Sequence, residues 1–270
     1  MALVECRVRG RRRHADCIIG SNSESLDGYD EPMTRVLDPQ RYSPGPVIAA
    51  STALLSLMSV LGGLLLANKA DPPFLALDNG WHQFVETLQS PAWDGINEFL
   101  NLAGYRGIYV LHACLVIVLL VRRRPQAAVF SVVAAASVAL LTQLIKAGIG
   151  RGRPSNTIVL TDTGSFPSGH VSATAAFLLV VALLIGRLWM WLLAVLGTLT
   201  MMVSRTYLSA HWLMDTLGGA LLAAAVVPLV WLIFQGTCVR ENSDARRLLT
   251  WRARASRRQR AARQRGSERG

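Results

Sequence analysis

Three short runs hold the residues able to do chemistry in this chain. They are Lys146 to Pro154 (with Arg151 and Arg153), Pro167-Ser168-Gly169-His170, and Ser204-Arg205 followed by His211 and Asp215. Lys146, Arg153 and Arg205 supply fixed positive charge, and the two arginines add forked donors that match phosphate oxygens. Ser168 and Gly169 stand where a helix opens, so free backbone N–H groups and the positive end of the helix dipole favour an anion there. Gly169 also admits close backbone approach. His211 and Asp215 are four residues apart, which on one helix gives them a shared face. A carboxylate so placed fixes an imidazole tautomer and stabilises its cation. An acid at the start of an apolar span is costly unless paired, and His211 is the available partner for Asp215. His211 is therefore expected to attack phosphorus and become a phosphohistidine. His170 is expected to protonate the leaving oxygen, after which water hydrolyses the intermediate. Pro154, Pro167 and Ser204 read as supporting residues.

These runs need elements to bring them together, and composition says which. Of the 270 residues 51% are apolar and only 17% charged, with a formal net charge of +11. A soluble domain carries about a quarter charged residues. The apolar residues come in blocks with arginines between and beyond them, the pattern of a membrane protein with basic cytoplasmic segments. Six spans are expected, at about residues 47–67, 105–121, 127–145, 171–185, 189–203 and 212–234. The first has no charge over twenty-one residues, enough to cross about 30 Å of hydrocarbon. The fourth and fifth reach that length only if their helices continue through the polar motif residues. The expected fold is an all-α, six-span transmembrane bundle. Between the first two spans, Trp81, Phe84, Val85 and Leu88 recur at helical spacing. That predicts a short amphipathic helix, lying in the membrane interface or packed on the other spans.

Six spans put both termini on one side. That side receives Arg7, Arg9, Arg11, Arg12, Arg13, Arg35, Arg41, Arg122, Arg123, Arg124, Arg187 and an Arg-rich tail. Residues 240–270 alone hold eleven Arg against three acids. The positive-inside rule makes this side cytoplasmic and places all three motif runs on the extracytoplasmic face. The organisation is then a disordered cytoplasmic segment over 1–46, a six-span membrane domain over 47–235 and a cytoplasmic tail over 236–270. The expected location is the plasma membrane, as a multi-pass protein. Met33 reads as an alternative start, which would leave residues 1–32 untranslated. The tail follows directly on a span, so anionic lipid head groups are its expected contact. No aromatic or fold signature accompanies the charge, which argues against nucleic acid. Cys6, Cys17, Cys114 and Cys238 form no C-x-x-C pair, and neither a disulfide framework nor a metal site is expected.

Some polar residues have plainer readings. His112 is read as a structural intramembrane histidine, and Arg106 as an arginine that snorkels to the interface. Arg151 is read as an accessory charge near the site. Gly218-Gly219 is expected to permit close helix packing.

In order and spacing, the three runs resemble the signature of the type 2 phosphatidic acid phosphatase (PAP2) superfamily: K-x6-R-P, P-S-G-H and S-R-x5-H-x3-D. All its positions are present between Lys146 and Asp215, and the span layout extends the resemblance to residues 47–235. The resemblance implies an all-helical, metal-independent phosphatase without a cofactor. It implies phosphate binding by Lys146, Arg153, Ser168, Gly169 and Arg205, with His170 as acid, His211 as nucleophile and Asp215 as its partner. The expected substrate is a membrane lipid phosphate, either a phospholipid phosphate or a polyprenyl (di)phosphate. The alternatives are a lipid phosphotransferase on the same site and a non-catalytic transporter or lipid-binding protein. Vanadium haloperoxidases share the signature but are soluble, and the apolar spans argue against that branch.

Overall fold

Proline and glycine punctuate the chain into helices. The structure, a computed structural model, describes residues 38–157, 159 and 164–267, with only the backbone described for residue 105 and residues 244–267. Helix α1 (Pro44–Ala67) opens on Pro44, whose missing N–H costs nothing in a first turn. Helices α2 (Leu75–Glu86) and α3 (Pro91–Leu102) follow. A π-helical turn over Ala103–Gly107 joins α3 to α4 (Ile108–Val121). Helix α5 (Pro125–Ile149) again opens on proline and stops at Gly150, where φ is +60°. That left-handed cap suits glycine, which has no Cβ to clash. The remaining helices are α6 (Gly169–Ile185), α7 (Leu188–Tyr207) and α8 (Leu213–Ser267).

Among the described residues, four helical stretches are long and apolar enough to cross a membrane: α1, α5, α7 and Leu213–Ser243 of α8. The apolar helices α4 and α6 are shorter. Helices α1, α5, α6 and α8 enclose the main core, which holds Leu65, Phe130, Val138, Val180, Leu222 and Trp231. Phe130 meets Trp231 edge-on with ring centroids 4.8 Å apart, a geometry that adds roughly 0.5–1.5 kcal/mol beyond area burial. At the same end of the bundle the Glu241 carboxylate accepts from Gln126 N (3.0 Å) and Ala127 N (3.2 Å), so an anion caps the positive end of α5. The outer surface is apolar. Leu140 and Leu144 of α5 and Leu192, Val195, Leu196 and Leu199 of α7 are exposed, as expected of helices that face lipid.

Several boundaries differ from those predicted. The second apolar block begins no new helix, because it continues α3 through the π turn. The third extends past Lys146 to Ile149. Two helices replace the one amphipathic helix predicted before the second span. Trp81 of α2 donates Nε1–H to Thr206 Oγ1 at 2.9 Å, and Val85 is buried, so α2 packs on the other helices. Of the polar leader predicted over 1–46, residues 1–37, including Cys6, Cys17 and the early arginines, lie outside the described residues. Its described end is anchored: Asp38 N donates to the Leu184 and Ile185 carbonyls, Trp231 Nε1 to the Gln40 carbonyl, and Tyr42 N to Gln235 Oε1. The backbone of α8 continues as helix through the Arg-rich tail to Ser267.

Candidate active site

The three motif runs meet at one end of the bundle. Lys146 sits in the last turn of α5, 5% exposed. The chain then turns at Gly150 and carries Arg151 and Arg153 back over the helix ends. Pro167 and Ser168 are buried as the chain enters α6. Arg205 lies in the last turn of α7 and is 1% exposed. Lys146, Arg153, Gly169, His170, Arg205 and His211 line one cavity of about 1250 Å³. From this polar end the cavity continues between α4, α5 and α6 past Val116, Ala135, Ala139 and Ala176. Ser168 and Ser204 are buried beside it, and their hydroxyl oxygens have no hydrogen-bond partner among the described residues.

Short bonds hold the cationic groups. The Gly164 carbonyl accepts from Lys146 Nζ (3.3 Å) and Arg153 Nη2 (2.9 Å). Arg153 Nη1 donates to the Ala210 carbonyl at 2.5 Å and lies 3.3 Å from His211 Nε2. Arg205 Nη1 donates to the Asn101 side-chain carbonyl. The backbone carbonyl of Asn101 accepts from the His170 ring. Asn101 thus fastens both a phosphate-binding candidate and the candidate acid. Nothing in its sequence context marked it, because the pairing spans 104 residues.

His211 and Asp215 lie 3.7 Å apart, but not along one helix face. Helix α8 begins at Leu213, so His211 lies before it on the connecting turn. Its Nδ1 donates to the Ser165 carbonyl at 2.8 Å, while the nearest Asp215 oxygen is 3.7 Å away. A backbone carbonyl therefore places the proton on Nδ1 and leaves Nε2 as the lone-pair nitrogen, beside Arg153 Nη1. Asp215 does not line the cavity. Its Oδ1 accepts from Arg151 Nη1 at 2.7 Å and its Oδ2 from Trp212 N at 2.9 Å. Arg151, expected to be an accessory charge, is the ion-pair partner of Asp215. It also binds Asp78 Oδ2 at 2.6 Å. The sequence did not mark Asp78, and its burial depends on contacts far away in sequence.

Burial lowers the His211 pKa from 6.5 to about 4, with Asp215 opposing the shift and Arg153 and Arg205 adding to it. His211 is then neutral above about pH 4, and protonation as pH falls through that value removes the lone pair that its expected role as nucleophile requires. The acid limb of kcat/KM is expected near pH 4 once the substrate's own ionisation is subtracted. A limb near 6.5 would mean a solvated imidazole.

Gly218 and Gly219 do permit close packing. A Cβ on Gly219 would lie 2.6 Å from the Ser168 carbonyl oxygen and 3.2 Å from Ser172 N, both backbone atoms. Gly219→Ala is expected to displace the Ser168–His170 turn and lower kcat about tenfold or more, at a stability cost of roughly 1–3 kcal/mol. Activity and thermal unfolding of the purified variant check both. Among the described residues, no group of three or more His, Cys, Asp or Glu side chains is placed to hold a metal ion, and Cys114 and Cys238 are free thiols.

Comparison with known proteins finds similarity over the same part of the chain. The PAP2 superfamily model matches residues 127–237, which contain all three runs. An undecaprenyl-diphosphatase of Sulfolobus acidocaldarius is 29% identical over 86 residues, which cover 31% of this chain and 37% of that relative. A transmembrane PAP2-type phosphatidylglycerolphosphate phosphatase from Bacillus subtilis has a similar fold, with a TM-score of 0.61 and 20% identity over 67% of this chain and 94% of the other. The chain thus carries the PAP2 superfamily pattern over residues 127–237 and shares its fold with that phosphatase over two thirds of its length.

Proposed function

We propose that this protein is an integral-membrane lipid phosphatase that works through a phosphohistidine on His211. One observation carries the reading: a single cavity is cationic at one end and apolar along the rest. A phosphate held by Lys146, Arg153, Ser168, Gly169 and Arg205 leaves an attached chain room to run between α4, α5 and α6. His211 Nε2 attacks phosphorus, and the lipid oxygen leaves with a proton from His170. Water then attacks the phosphohistidine and releases inorganic phosphate. Asp215 serves this cycle from behind the nucleophile. The substrate class is a phospholipid phosphate or a polyprenyl (di)phosphate, and the reaction as written calls on no metal.

Membrane placement belongs to the same proposal. Helices α4 and α6, continued by their polar end residues, join the four longer stretches as six spans. The arginines at residues 122–124 and 187 and in the tail lie on the cytoplasmic side, the tail against anionic lipid, and the motif runs face outward in the plasma membrane. Phosphate release in detergent over a panel of lipid phosphates tests the reading. Activity is expected to survive EDTA. Loss of activity with EDTA and its return with a divalent cation would contradict the metal-independent cycle.

A further inference from the structure

Arg106 is a cation of the cavity wall that the three motif runs do not include. It belongs to the π turn between α3 and α4, is exposed, and lines the same cavity as Lys146, Arg153 and Arg205. The arginines of the motif runs are already engaged: Arg151 by Asp78 and Asp215, Arg153 by the Gly164 and Ala210 carbonyls, Arg205 by Asn101. None of the ion pairs found among the described residues includes Arg106. Glu98, an acid that lines the same cavity, lies about two turns earlier in the chain and forms no ion pair with it. π turns inside helices often mark functional sites. Here the wider turn keeps one lining stripe continuous across α3 and α4, through Leu102, Arg106, Tyr109 and Ala113. The turn also packs against the candidate acid. A Cβ on Gly104 would lie 3.2 Å from His170 Cδ2, and Arg106 follows two residues later, roughly 3 Å further along the axis. Beyond Arg106 the α4 wall turns apolar, with Ala113, Val116 and Ile117. A lipid lying along this wall therefore passes His170, then Arg106, then hydrocarbon.

We propose that Arg106 is a specificity-determining residue whose guanidinium binds a second phosphoryl group on the leaving side of the scissile bond. Which bond breaks rests on the phosphatase reading above; the placement of Arg106 does not. In that cycle His211 Nε2 bonds to the terminal phosphorus and the bond from phosphorus to the leaving oxygen breaks. The leaving oxygen keeps the electron pair and takes the His170 proton. In a lipid diphosphate that oxygen belongs to the second phosphoryl group, whose other oxygens are anionic and match the guanidinium fork. A phospholipid whose terminal phosphate sits on a phosphodiester head group offers the same chemistry one glycerol unit further along. An arginine that only snorkels to interfacial water would be indifferent to that second group.

The test measures phosphate release by full-length protein in detergent from two matched pairs of lipids. One pair is a prenyl diphosphate and the prenyl monophosphate of the same chain. The other is phosphatidylglycerol phosphate and phosphatidic acid with the same acyl chains. In Arg106→Gln the ratio of kcat/KM for the two-phosphoryl lipid over its one-phosphoryl counterpart is expected to fall about tenfold or more in at least one pair. The pair that responds identifies the source of the second group. Arg106→Lys keeps the charge without the fork and is expected to retain part of the ratio. Ratios in Arg106→Gln within about twofold of wild type in both pairs overturn the proposal. If the glutamine variant does not purify folded, Arg106→Met, which keeps an aliphatic stem, is read in the same way. Binding decides the contact without turnover. The probes are a prenyl methylenediphosphonate, whose P–C–P link cannot be hydrolysed, and the matching prenyl phosphonate. Arg106→Gln is expected to weaken the first about tenfold or more relative to the second, and an unchanged Kd ratio together with unchanged release ratios overturns the contact. Wild-type protein that hydrolyses none of the four lipids would sink the phosphatase reading, and the Kd ratio alone would then decide Arg106.

Discussion

His211→Ala is expected to abolish phosphate release from every lipid phosphate that the wild-type protein hydrolyses, a loss of about 10⁴-fold or more in kcat. In the proposed cycle the imidazole forms the covalent bond to phosphorus. The residue lines the cavity, its Nδ1–H is fixed by the Ser165 carbonyl, and only 3% of it is exposed. Alanine removes the nucleophile and leaves the Arg151 bridge intact, so the variant is expected to fold and to bind phosphate. Vanadate or phosphate binding to the purified variant separates lost chemistry from a lost site. A His211→Ala protein that still turns over within tenfold of wild type would remove the nucleophile from the account.

His170→Ala carries the second large effect, and its size depends on the leaving group. His170 opens α6 beside the cationic set, with its ring held by the Asn101 carbonyl. An alkoxide departing from a lipid monophosphate needs a proton, and general acids contribute about 10²–10⁴-fold. That loss is expected for a lipid monophosphate. It should shrink with a lipid diphosphate, whose leaving phosphate is a weak base, and nearly vanish with p-nitrophenyl phosphate. Equal losses across all three would make His170 a phosphate-binding group. Gly104 lies close behind: a Cβ there would meet Met201 at 2.5 Å and His170 at 3.2 Å. The π turn that contains Gly104 thus brings α3 directly against the His170 ring.

The residue types of the site were legible because phosphate chemistry needs recognisable groups at helix ends. Lys146, Arg153, His170, Arg205 and His211 are gathered as the motif spacing predicts. The break between the fourth and fifth spans was legible too, and Gly186 caps α6 there. Local spacing was a partial guide at His211 and Asp215. The two lie 3.7 Å apart, but α8 begins two residues after His211, so they do not share a helix face. Spacing also missed a second partner of the carboxylate: Arg151 pairs with it across 64 residues and reaches Asp78 across 73. Asp78, Asn101 and Ser165 acquire roles only through tertiary contacts, and Ser165 and Asn101 act partly through backbone carbonyls, which no side-chain pattern reveals. The run from Trp81 to Leu88 was legible as one amphipathic helix, but the helix after it was not, because Ser90 and Pro91 restart the helix there.

The most direct test of the central claim is to trap the covalent intermediate. Wild-type protein mixed with a ³²P-labelled lipid phosphate and quenched in alkali after milliseconds should carry label in an acid-labile, base-stable phosphoramidate that maps to His211. The same experiment with His211→Ala should leave the protein unlabelled. Rapid phosphate release with no labelled protein at any time, or label that persists in His211→Ala, would contradict nucleophilic attack by His211.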